Sequence, residues 1–337
     1  MAGLGLNALA VLALAWGCWG WFDLPRQSHA GFDTDGIRTV TRVDPASPAQ
    51  RAGLAAGDVI QRVDGLAISS AASLARLPPR RAGELLHLGI ERNGENLELR
   101  IIYELLPART VRLGRASSLV GLGFVLFPLL AFWRRPSEAT RVLLLMGIGL
   151  GLALMRAPLI EAHGTRACLL AATGLLVLVG VAALPHFLLV FPHKRPWLAR
   201  AAGAKLIYLP VVILWLLLVW RLVFTPPAAS VLNSLTRLAT VLVIGLYLLA
   251  SLFLVLRNYS RTDRAQRKAL AINAMLFATV AGILPVVVAR LLIAFSPQSA
   301  LPGQDWYFLS LALIPLAWAR SAARLRRGAP PTPESAA

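Results

Sequence analysis

Charged residues are scarce in this chain of 337 residues and account for only 15% of it, against about 25% in soluble domains. Hydrophobic residues account for 57%, and the mean hydropathy is +0.65. This composition excludes an ordinary soluble globular protein and predicts a protein of the membrane.

Cysteine is nearly absent, since the chain has only Cys18 and Cys168, each within an apolar segment. Two separated cysteines exclude a disulfide framework and a zinc site built on cysteine. We expect both to be small side chains packed in the core.

Catalytic motifs are lacking as well. The chain has no HExxH sequence, in which two histidines one helical turn apart bind zinc and the glutamate activates water. The segment around His186 contains no acidic residue, and neither a serine-protease triad nor a glycine-rich phosphate loop is visible. The sequence therefore predicts a protein that is not an enzyme and that holds no metal or cofactor.

Acidic residues are few, because 16 Asp and Glu stand against 34 Lys and Arg, which gives a formal net charge of +18. Residues 23–115 are nearly balanced, with 13 Arg and 11 acidic residues, so the excess lies in the apolar remainder. Membrane proteins collect Lys and Arg in short cytoplasmic loops. This distribution argues against a nucleic-acid-binding protein.

Eight stretches approach the roughly 20 apolar residues needed to cross a bilayer as a helix. They are residues 2–22, 116–133, 142–160, 167–192, 206–224, 238–256, 270–295 and 306–322. The segments that follow them alternate in charge, because one set carries 16 Lys or Arg and the other set only 2. The positive-inside rule predicts both termini in the cytoplasm and the region after the first helix outside it. We expect the first helix to be a retained anchor, since no basic segment precedes it.

Residues 27–107 differ from the rest, with short apolar runs separated by Gly, Pro, Asp and Asn, as is typical of a small mixed β domain. In "SPAQRAGLAAGDVIQRVDG" (47–65), Ser47 is predicted to cap a short helix, with Gln50 bonding back to the Ser47 amide. Gly53 should end that helix in the left-handed conformation.

Strands and tight turns should follow. Val59, Ile60 and Val63 predict a strand that ends at an Asp64-Gly65 turn. Farther on, "RNGE" (92–95) predicts a hairpin turn between two alternating apolar strands.

The stretch "GIRTVTRVDPASPAQRAGLAAGDVIQRVDG" (36–65) resembles the core signature of bacterial PDZ domains, and the resemblance covers residues 27–107. It implies a domain that binds extended peptides or protein C-termini by adding them as a strand to a sheet edge. By position, the carboxylate loop would lie within residues 31–36 and the edge strand within Ile37–Val43. The residues implied in peptide binding are Gly31, Phe32, Gly36, Ile37, Thr39, Val40, Leu74 and Leu77. Because Pro78-Pro79 should end the groove helix early, a PDZ-shaped packing or dimerisation module stays open as an alternative.

Three apolar motifs, "HFLLVFPHKRPWL", "RAQRKALAINAMLFATVAGILP" and "LALIPLAWARSAARLRR", resemble the membrane-sensing module of competence-type bacterial sensor histidine kinases. In that family a kinase domain follows the helices, and the short tail after residue 322 has no room for one. The resemblance implies a bacterial inner-membrane sensor that acts through a separate cytoplasmic output protein.

Charged residues within the apolar stretches predict a second site. Arg156, Arg221 and Arg290 lie 14 to 20 residues beyond the starts of their helices, which places them in the outer third of the bilayer, with Glu161 on the same side. Buried guanidinium groups must be paired or hydrated. The sequence therefore suggests an outward-opening polar pocket, with snorkelling of the arginines to lipid phosphates as the alternative.

Together these inferences predict a bundle of about eight transmembrane helices with an inserted extracytoplasmic α+β PDZ-like domain. Its parts would be a first helix (1–22), the PDZ-like domain with its linker (23–115), a seven-helix module (116–322) and a cytoplasmic tail (323–337). The favoured function is a non-catalytic sensor or adaptor that couples peptide binding to the bundle. The alternative is a substrate-presenting or regulatory subunit of a membrane protease.

Overall fold

The computed structural model describes residues 2–34, 38–68, 79–199, 201–224, 231–295 and 304–324. A small β-rich domain lies between two long apolar helices, α1 (Ala2–Asp23) and α3 (Ala108–Arg134). Helix α3 begins well before residue 116, where the apolar run alone placed its start, because arginines are good helix formers and extend it. Its first two turns therefore carry Arg109, Arg112 and Arg115.

The domain contains eight short strands and one helical turn within the described residues. They are β1 (Ser28–His29), β2 (Phe32–Thr34), β3 (Val40–Val43), α2 (Pro48–Arg51), β4 (Val59–Val63), β5 (Leu66–Ala67), β6 (Leu85–Arg92), β7 (Glu95–Ile102) and β8 (Glu104–Leu105). Four strands form an antiparallel sheet in the order β5-β4-β6-β7, and two further antiparallel pairs are β2-β3 and β1-β8. A bridge from Thr39 to Val59 joins the β2-β3 pair to the main sheet.

The domain has a hydrophobic core of its own, separate from the cores of the helical bundle. Alternate residues of the strands point into it, as the period of two in the sequence predicts. Its fully or nearly fully buried members include Val40, Leu54, Ile60, Val63, Leu86, Leu88, Ile90 and Ile101. Because this cluster is complete without any residue of the bundle helices, the domain is built as a folding unit.

The two tight turns form as the sequence predicts. Asp64 and Gly65 have φ of 49° and 80°, and Asn93 and Gly94 have φ of 53° and 86°. Two consecutive positive φ angles define the type I′ turn, whose twist matches that of the flanking strands. The second turn sets the register of β6 and β7, in which Arg92 faces Glu95 and Leu88 faces Leu99.

The cap of α2 is confirmed only in part. The Ser47 side chain accepts the amide of Gln50 at 3.3 Å, as predicted, and Gly53 has φ of 88°. The Gln50 side chain does not reach back to Ser47, because the Ser47 amide donates to the Asp44 carbonyl at 3.3 Å. Gln50 accepts instead from the amide of Ala46, at 2.6 Å.

A buried carboxylate fastens the helical turn region to the far hairpin. Asp58 is 2% exposed and holds Arg92 through two bonds, from Nε to Oδ1 and from Nη2 to Oδ2, each at 2.7 Å. It also accepts the amide of Ala55 at 2.8 Å. The bonds from Arg92 lower the pKa of Asp58, although burial opposes them. The Asp58–Arg92 pair is therefore a structural clamp.

The rest of the chain is helical. Beyond α3 the described elements are α4 (Glu138–Leu154), α5 (His163–Val190), α6 (Ala201–Phe224), α7 (Val231–Arg261), the short α8 (Arg264–Ala269), α9 (Ile272–Phe295) and α10 (Leu313–Ala323), with 3₁₀ segments at Pro196–Ala199 and Gln304–Ala312. Helices α1, α3, α4, α5 and α10 form the packed centre of the bundle, and α6 and α7 lie against α5.

Five helical segments among the described residues are long and apolar enough to cross a membrane. They are Gly3–Arg26, Ala108–Arg134, His163–Val190, Gly203–Trp220 and Leu235–Arg261. Two shorter apolar helices, Ile272–Val288 and Tyr307–Ala323, fall below that length. A membrane protein with several spanning helices is thus supported, and the number eight stays a prediction.

Glycine lets the central helices approach closely, as is common where helices pack in membranes. Gly149 of α4 lies against Gly180 of α5, and a methyl group on Gly149 would overlap the carbonyl of Leu176. The two cysteines, in contrast, are not in this core. Cys18 and Cys168 are both exposed, which corrects the expectation from their apolar context, because in a bundle of this kind apolar segments also cover the outer surface.

The basic segments gather at one end of the bundle, opposite the β-rich domain. Lys194 after α5 pairs with Glu138 at the start of α4, at 2.7 Å, and Arg195 donates to Asn258 near the end of α7 at 3.2 Å. At the same end Trp133 donates to Asn7 of α1 at 3.1 Å. The alternation of charge in the sequence therefore corresponds to two different ends of the molecule.

Replacing Asp58 should destabilise the domain. We expect Asp58→Asn to cost roughly 1.5–3 kcal/mol of unfolding free energy, since it weakens charge-assisted bonds to Arg92. A depressed folded-state pKa gives stability that is present above the unfolded value of about 3.9 and is lost as the pH falls through the folded value. Urea unfolding of residues 27–107 at pH 7 and below pH 4 measures both effects.

Asp33→Asn is the matched control, because Asp33 is mostly exposed and its contact with Arg42 is 3.5 Å long. It should change the unfolding free energy by no more than about 0.5 kcal/mol. If the two variants were equally stable at pH 7, the clamp would have no energetic importance.

Candidate functional site

Strand β2 forms an open sheet edge. It pairs with β3 on one side, and no described strand pairs with its other side. The Asp44 amide donates to the Gly31 carbonyl at 2.8 Å, so the neighbouring pair Phe32–Val43 is a non-hydrogen-bonded pair of the ladder. The backbone amide and carbonyl of Phe32 therefore point away from β3, toward the open edge.

The structure places the edge one strand away from the sequence-based position. On one side, residues 38–40 bond to the chain at β4, because the Val40 amide donates to the Asp58 carbonyl and the Ile60 amide donates to the Arg38 carbonyl, both at 2.8 Å. On the other side, Val40–Val43 pairs with β2. Thr39 and Val40 thus lie in an interior strand, and Val40 is 1% exposed. The expected edge at Ile37–Val43 is wrong for its described part, because the short β2 was not recognised as a strand.

Other residues implied in peptide binding divide into two groups. Gly31 and Phe32 lie at the start of the open edge, where they can contact a ligand strand. Gly36, Ile37, Leu74 and Leu77 lie outside the described residues. The predicted groove helix around Leu74 and Leu77 thus stays a prediction.

Gly31 positions the edge strand. Its φ of 82° turns the chain between β1 and β2, and a methyl group at this position would overlap the Ser47 side chain. Its carbonyl accepts from the Asp44 amide and, at 3.2 Å, from the Ser47 hydroxyl. Only glycine combines this backbone conformation with so close an approach.

A cavity of about 520 Å³ opens at the start of β2. The strand itself, the Asp44–Ser47 turn, β8 and Thr110 in the first turn of α3 line it, so it lies between the domain and an apolar helix. The Nδ1 atom of His29, on its wall, is buried without a hydrogen-bond partner among the described residues. Burial also raises the pKa of Tyr103, whose phenol lines the cavity and can donate a hydrogen bond.

Three acidic residues line this cavity, and two arginines pair with them. Arg42 pairs with Asp44 at 2.7 Å, and Arg51 pairs with Glu104. Asp33 also lines the cavity and shares Arg42 with Asp44, at 3.5 Å, so the three acidic groups exceed their two arginine partners by one charge. A peptide end that enters the cavity would therefore bond to neutral donors such as the Tyr103 hydroxyl. The cavity can accept the end of a chain that runs along β2.

The predicted intramembrane pocket is not assembled as expected. Helix α4 ends at Leu154, so Arg156 and Glu161 lie in the following loop, where both are exposed. Glu161 pairs with Arg81 of the β-rich domain and not with Arg156. Backbone atoms place Arg221 in α6 and Arg290 in α9, and their side chains lie outside the described residues.

The helix ends early because the loop bonds to the base of the domain. Asp23 accepts the Leu159 amide at 2.7 Å, and Gln27 donates to the Ala157 carbonyl at 3.0 Å. The Arg156 amide donates to Ser118 of α3 at 3.2 Å. These contacts connect the domain, the α4–α5 loop and α3, and sequence spacing gave no signal for them.

Metal ligands do not gather in the described residues. These residues contain no group of three or more His, Cys, Asp or Glu side chains that could hold a metal ion. His186 of α5 is buried, and its Nδ1 atom lies 2.8 Å from the Tyr208 hydroxyl of α6.

Comparison with known proteins identifies the β-rich domain. Residues 30–102 match the family model of the PDZ domain. The chain is 38% identical over 87 residues to the regulator of sigma-E protease RseP of Escherichia coli, which is 26% of this chain and 18% of that protein. It is 33% identical over 84 residues to proteins of Brucella suis and Brucella melitensis that are named zinc metalloproteases, with 25% of this chain and 22% of each relative covered.

The chain thus spans about a fifth of the length of the curated relatives it matches. A serine endoprotease of Yersinia pestis is a further similar structure, 26% identical over 25% of this chain and 30% of that chain, but its TM-score of 0.22 carries no argument. The resemblance of residues 27–107 to PDZ domains is confirmed. The resemblance of the helices to sensor histidine kinases, and the sensor function drawn from it, find no support among these relatives.

One prediction is overturned by these relatives. The missing catalytic motifs predict that the chain is not an enzyme. The curated relatives are named proteases, so the comparison contradicts that prediction, although the similarity lies in the PDZ region alone.

Gly31 should be more sensitive to substitution than a glycine with the same backbone conformation. Gly57 has φ of 96° and open space around it, so Gly57→Ala isolates the backbone strain, about 1–2 kcal/mol. Gly31→Ala adds the overlap with Ser47 and should cost roughly 1–3 kcal/mol more. Urea unfolding of the domain measures the difference, and equal costs would show that the approach to Ser47 is not constrained.

Proposed function

We propose that this protein is a substrate-presenting or regulatory component of membrane proteolysis, whose PDZ domain binds an extended segment or the C-terminus of another protein. The observation that carries the proposal is the open edge at β2, which begins at a polar cavity within a domain that matches the PDZ family.

Binding would use the backbone of the edge strand. A ligand strand can bond to the outward-facing amide and carbonyl of Phe32, which extends the β2-β3 pair by one strand. Main-chain bonds of this kind give affinity with little dependence on sequence, and side-chain pockets give selectivity. The cavity at Gly31 and His29 would receive the end of the bound chain.

The connection to proteolysis comes from the relatives. The proteins that share this PDZ region carry names of proteases, and one is the regulator of sigma-E protease RseP. Since a shared binding domain supports a shared kind of ligand, we infer that this domain binds protein segments destined for membrane proteolysis. The similarity covers a fifth of those proteins, so the transfer of their role to this chain is a proposal.

Contacts with the bundle would couple binding to the membrane region. Arg81 pairs with Glu161, and Asp23 and Gln27 bond to the loop after α4. A ligand strand on β2 also lies next to the cavity wall formed by Thr110 of α3. Through these contacts the domain can report its occupancy to the helices.

We further propose a location in the bacterial inner membrane, with eight spanning helices, the PDZ domain outside the cytoplasm and both termini inside. The basic segments gather at one end of the bundle and the PDZ domain lies at the other, which agrees with the positive-inside rule.

Peptides should bind at β2. A library of C-terminal peptides offered to residues 27–107 should yield binders whose largest backbone amide shift changes in nuclear magnetic resonance spectra fall at Gly31–Thr34. Phe32→Pro should weaken them several-fold, since one hydrogen bond contributes about 0.5–1.5 kcal/mol and proline removes the donor at an edge position that tolerates it. Shift changes confined to the other edge, β7, or no binding at all, would refute the proposed site.

Partner identity separates proteolysis from signalling. Cross-linking of the full chain in its native membranes should recover a membrane protease or a protein cleaved by one, and the Phe32→Pro variant should recover less of the cleaved protein. Recovery of a histidine kinase or response regulator in their place would contradict the proteolytic role.

A further inference from the structure

A groove of about 360 Å³ lies between α3 and α10 at the basic end of the bundle. Phe127 and Leu130 of α3 and Leu316 of α10 line its inner part with apolar side chains. Three arginines close its outer end. They are Arg134, the last residue of α3, Arg320, in the last turn of α10, and Arg324, which follows that helix.

The three arginines are exposed and uncompensated. Within the described residues, no acidic side chain pairs with Arg134, Arg320 or Arg324. The nearby acidic residue Glu138 is engaged by Lys194, and Asp263 caps α8. Three guanidinium groups at one place are therefore available to an anion.

Where α3 crosses a membrane, the inner part of the groove would lie at the depth of the hydrocarbon layer. Helix α3 is one of the five segments able to cross a membrane, and Phe127 precedes its basic end by two turns. Leu316 is 48% exposed, so the groove opens to the outside of the bundle. An apolar channel that ends at a cluster of arginines has the polarity of an acyl chain joined to an anionic headgroup.

We propose that this groove binds an anionic phospholipid, with its phosphate at Arg134, Arg320 and Arg324 and one acyl chain along Phe127, Leu130 and Leu316. A free phosphate would leave the apolar part unoccupied. The three guanidinium groups would repel the ammonium group of a zwitterionic headgroup, whereas an anionic headgroup carries no positive charge. The site is independent of peptide binding at β2, because it lies at the opposite end of the bundle.

Native mass spectrometry of the full chain in a nonionic detergent tests the site. Phosphatidylglycerol added in increasing amounts should form a one-to-one complex, and phosphatidylethanolamine should need a concentration at least tenfold higher. Arg320→Gln with Arg324→Gln should weaken phosphatidylglycerol binding by about thirtyfold, since each arginine near an anionic surface contributes about a factor of five.

Two further variants separate the groove from general charge attraction. Arg141→Gln with Arg264→Gln removes the same charge from exposed positions at the same end, outside the groove, and should leave binding within twofold. Ala323→Phe keeps all the arginines and fills the groove wall, so it should weaken binding about as much as the first double variant. Thermal unfolding of each variant without lipid should match the unsubstituted chain, which shows that the fold is intact.

Several results would overturn the proposal. They are equal retention of the two lipids by the unsubstituted chain, unchanged binding by Ala323→Phe, and full competition by inorganic phosphate. Equal retention of the two lipids, or unchanged binding by Ala323→Phe, would mean that the groove is occupied by the tail of this chain or by a partner protein. Full competition by inorganic phosphate would mean that the site binds any small anion. If a groove variant unfolds, the comparison of the two lipids on the unsubstituted chain still decides the outcome.

Discussion

The pairing of β1 with β8 is the constraint on which the architecture depends. Ser28 faces Leu105, His29 faces Glu104, and the Leu106 amide donates to Gln27 at 3.0 Å, so the chain enters and leaves the PDZ domain side by side. A domain inserted between two membrane helices requires adjacent ends. Because of this pairing, α1 and α3 can pack together along their length while the domain between them keeps its own core.

Local sequence patterns predicted the parts of the domain that local chemistry determines. The Asp64-Gly65 and Asn93-Gly94 turns follow from residues that tolerate positive φ, and the Ser47 cap follows from a hydroxyl next to Pro48. Alternating apolar residues predicted β6 and β7, because a period of two places one face of each strand in the core. In the turns and the cap, the interaction that decides the structure joins residues only a few positions apart.

Contacts between distant residues were not predictable from one sequence. The clamp from Asp58 to Arg92 joins residues 34 positions apart, and no local pattern in the sequence indicates it. The open edge was assigned to β3 because the sequence shows no clear period over the three residues of β2. Arg156 was placed inside a helix because hydropathy counts apolar residues, and it cannot register that Asp23 and Ser118 bond to the chain after Leu154.

The narrow stem formed by β1 and β8 has a mechanical consequence. Tension on the domain directed away from the bundle acts on both strands from the same end, so we expect their bonds to open one pair after another, beginning beside Gln27. The sheet of β4, β6 and β7, tied by Asp58, lies beyond this stem and carries load only after it has opened. A pulling force from a bound polypeptide would therefore separate β1 from β8 and extend the connection to the membrane helices before the sheet of the PDZ domain unfolds.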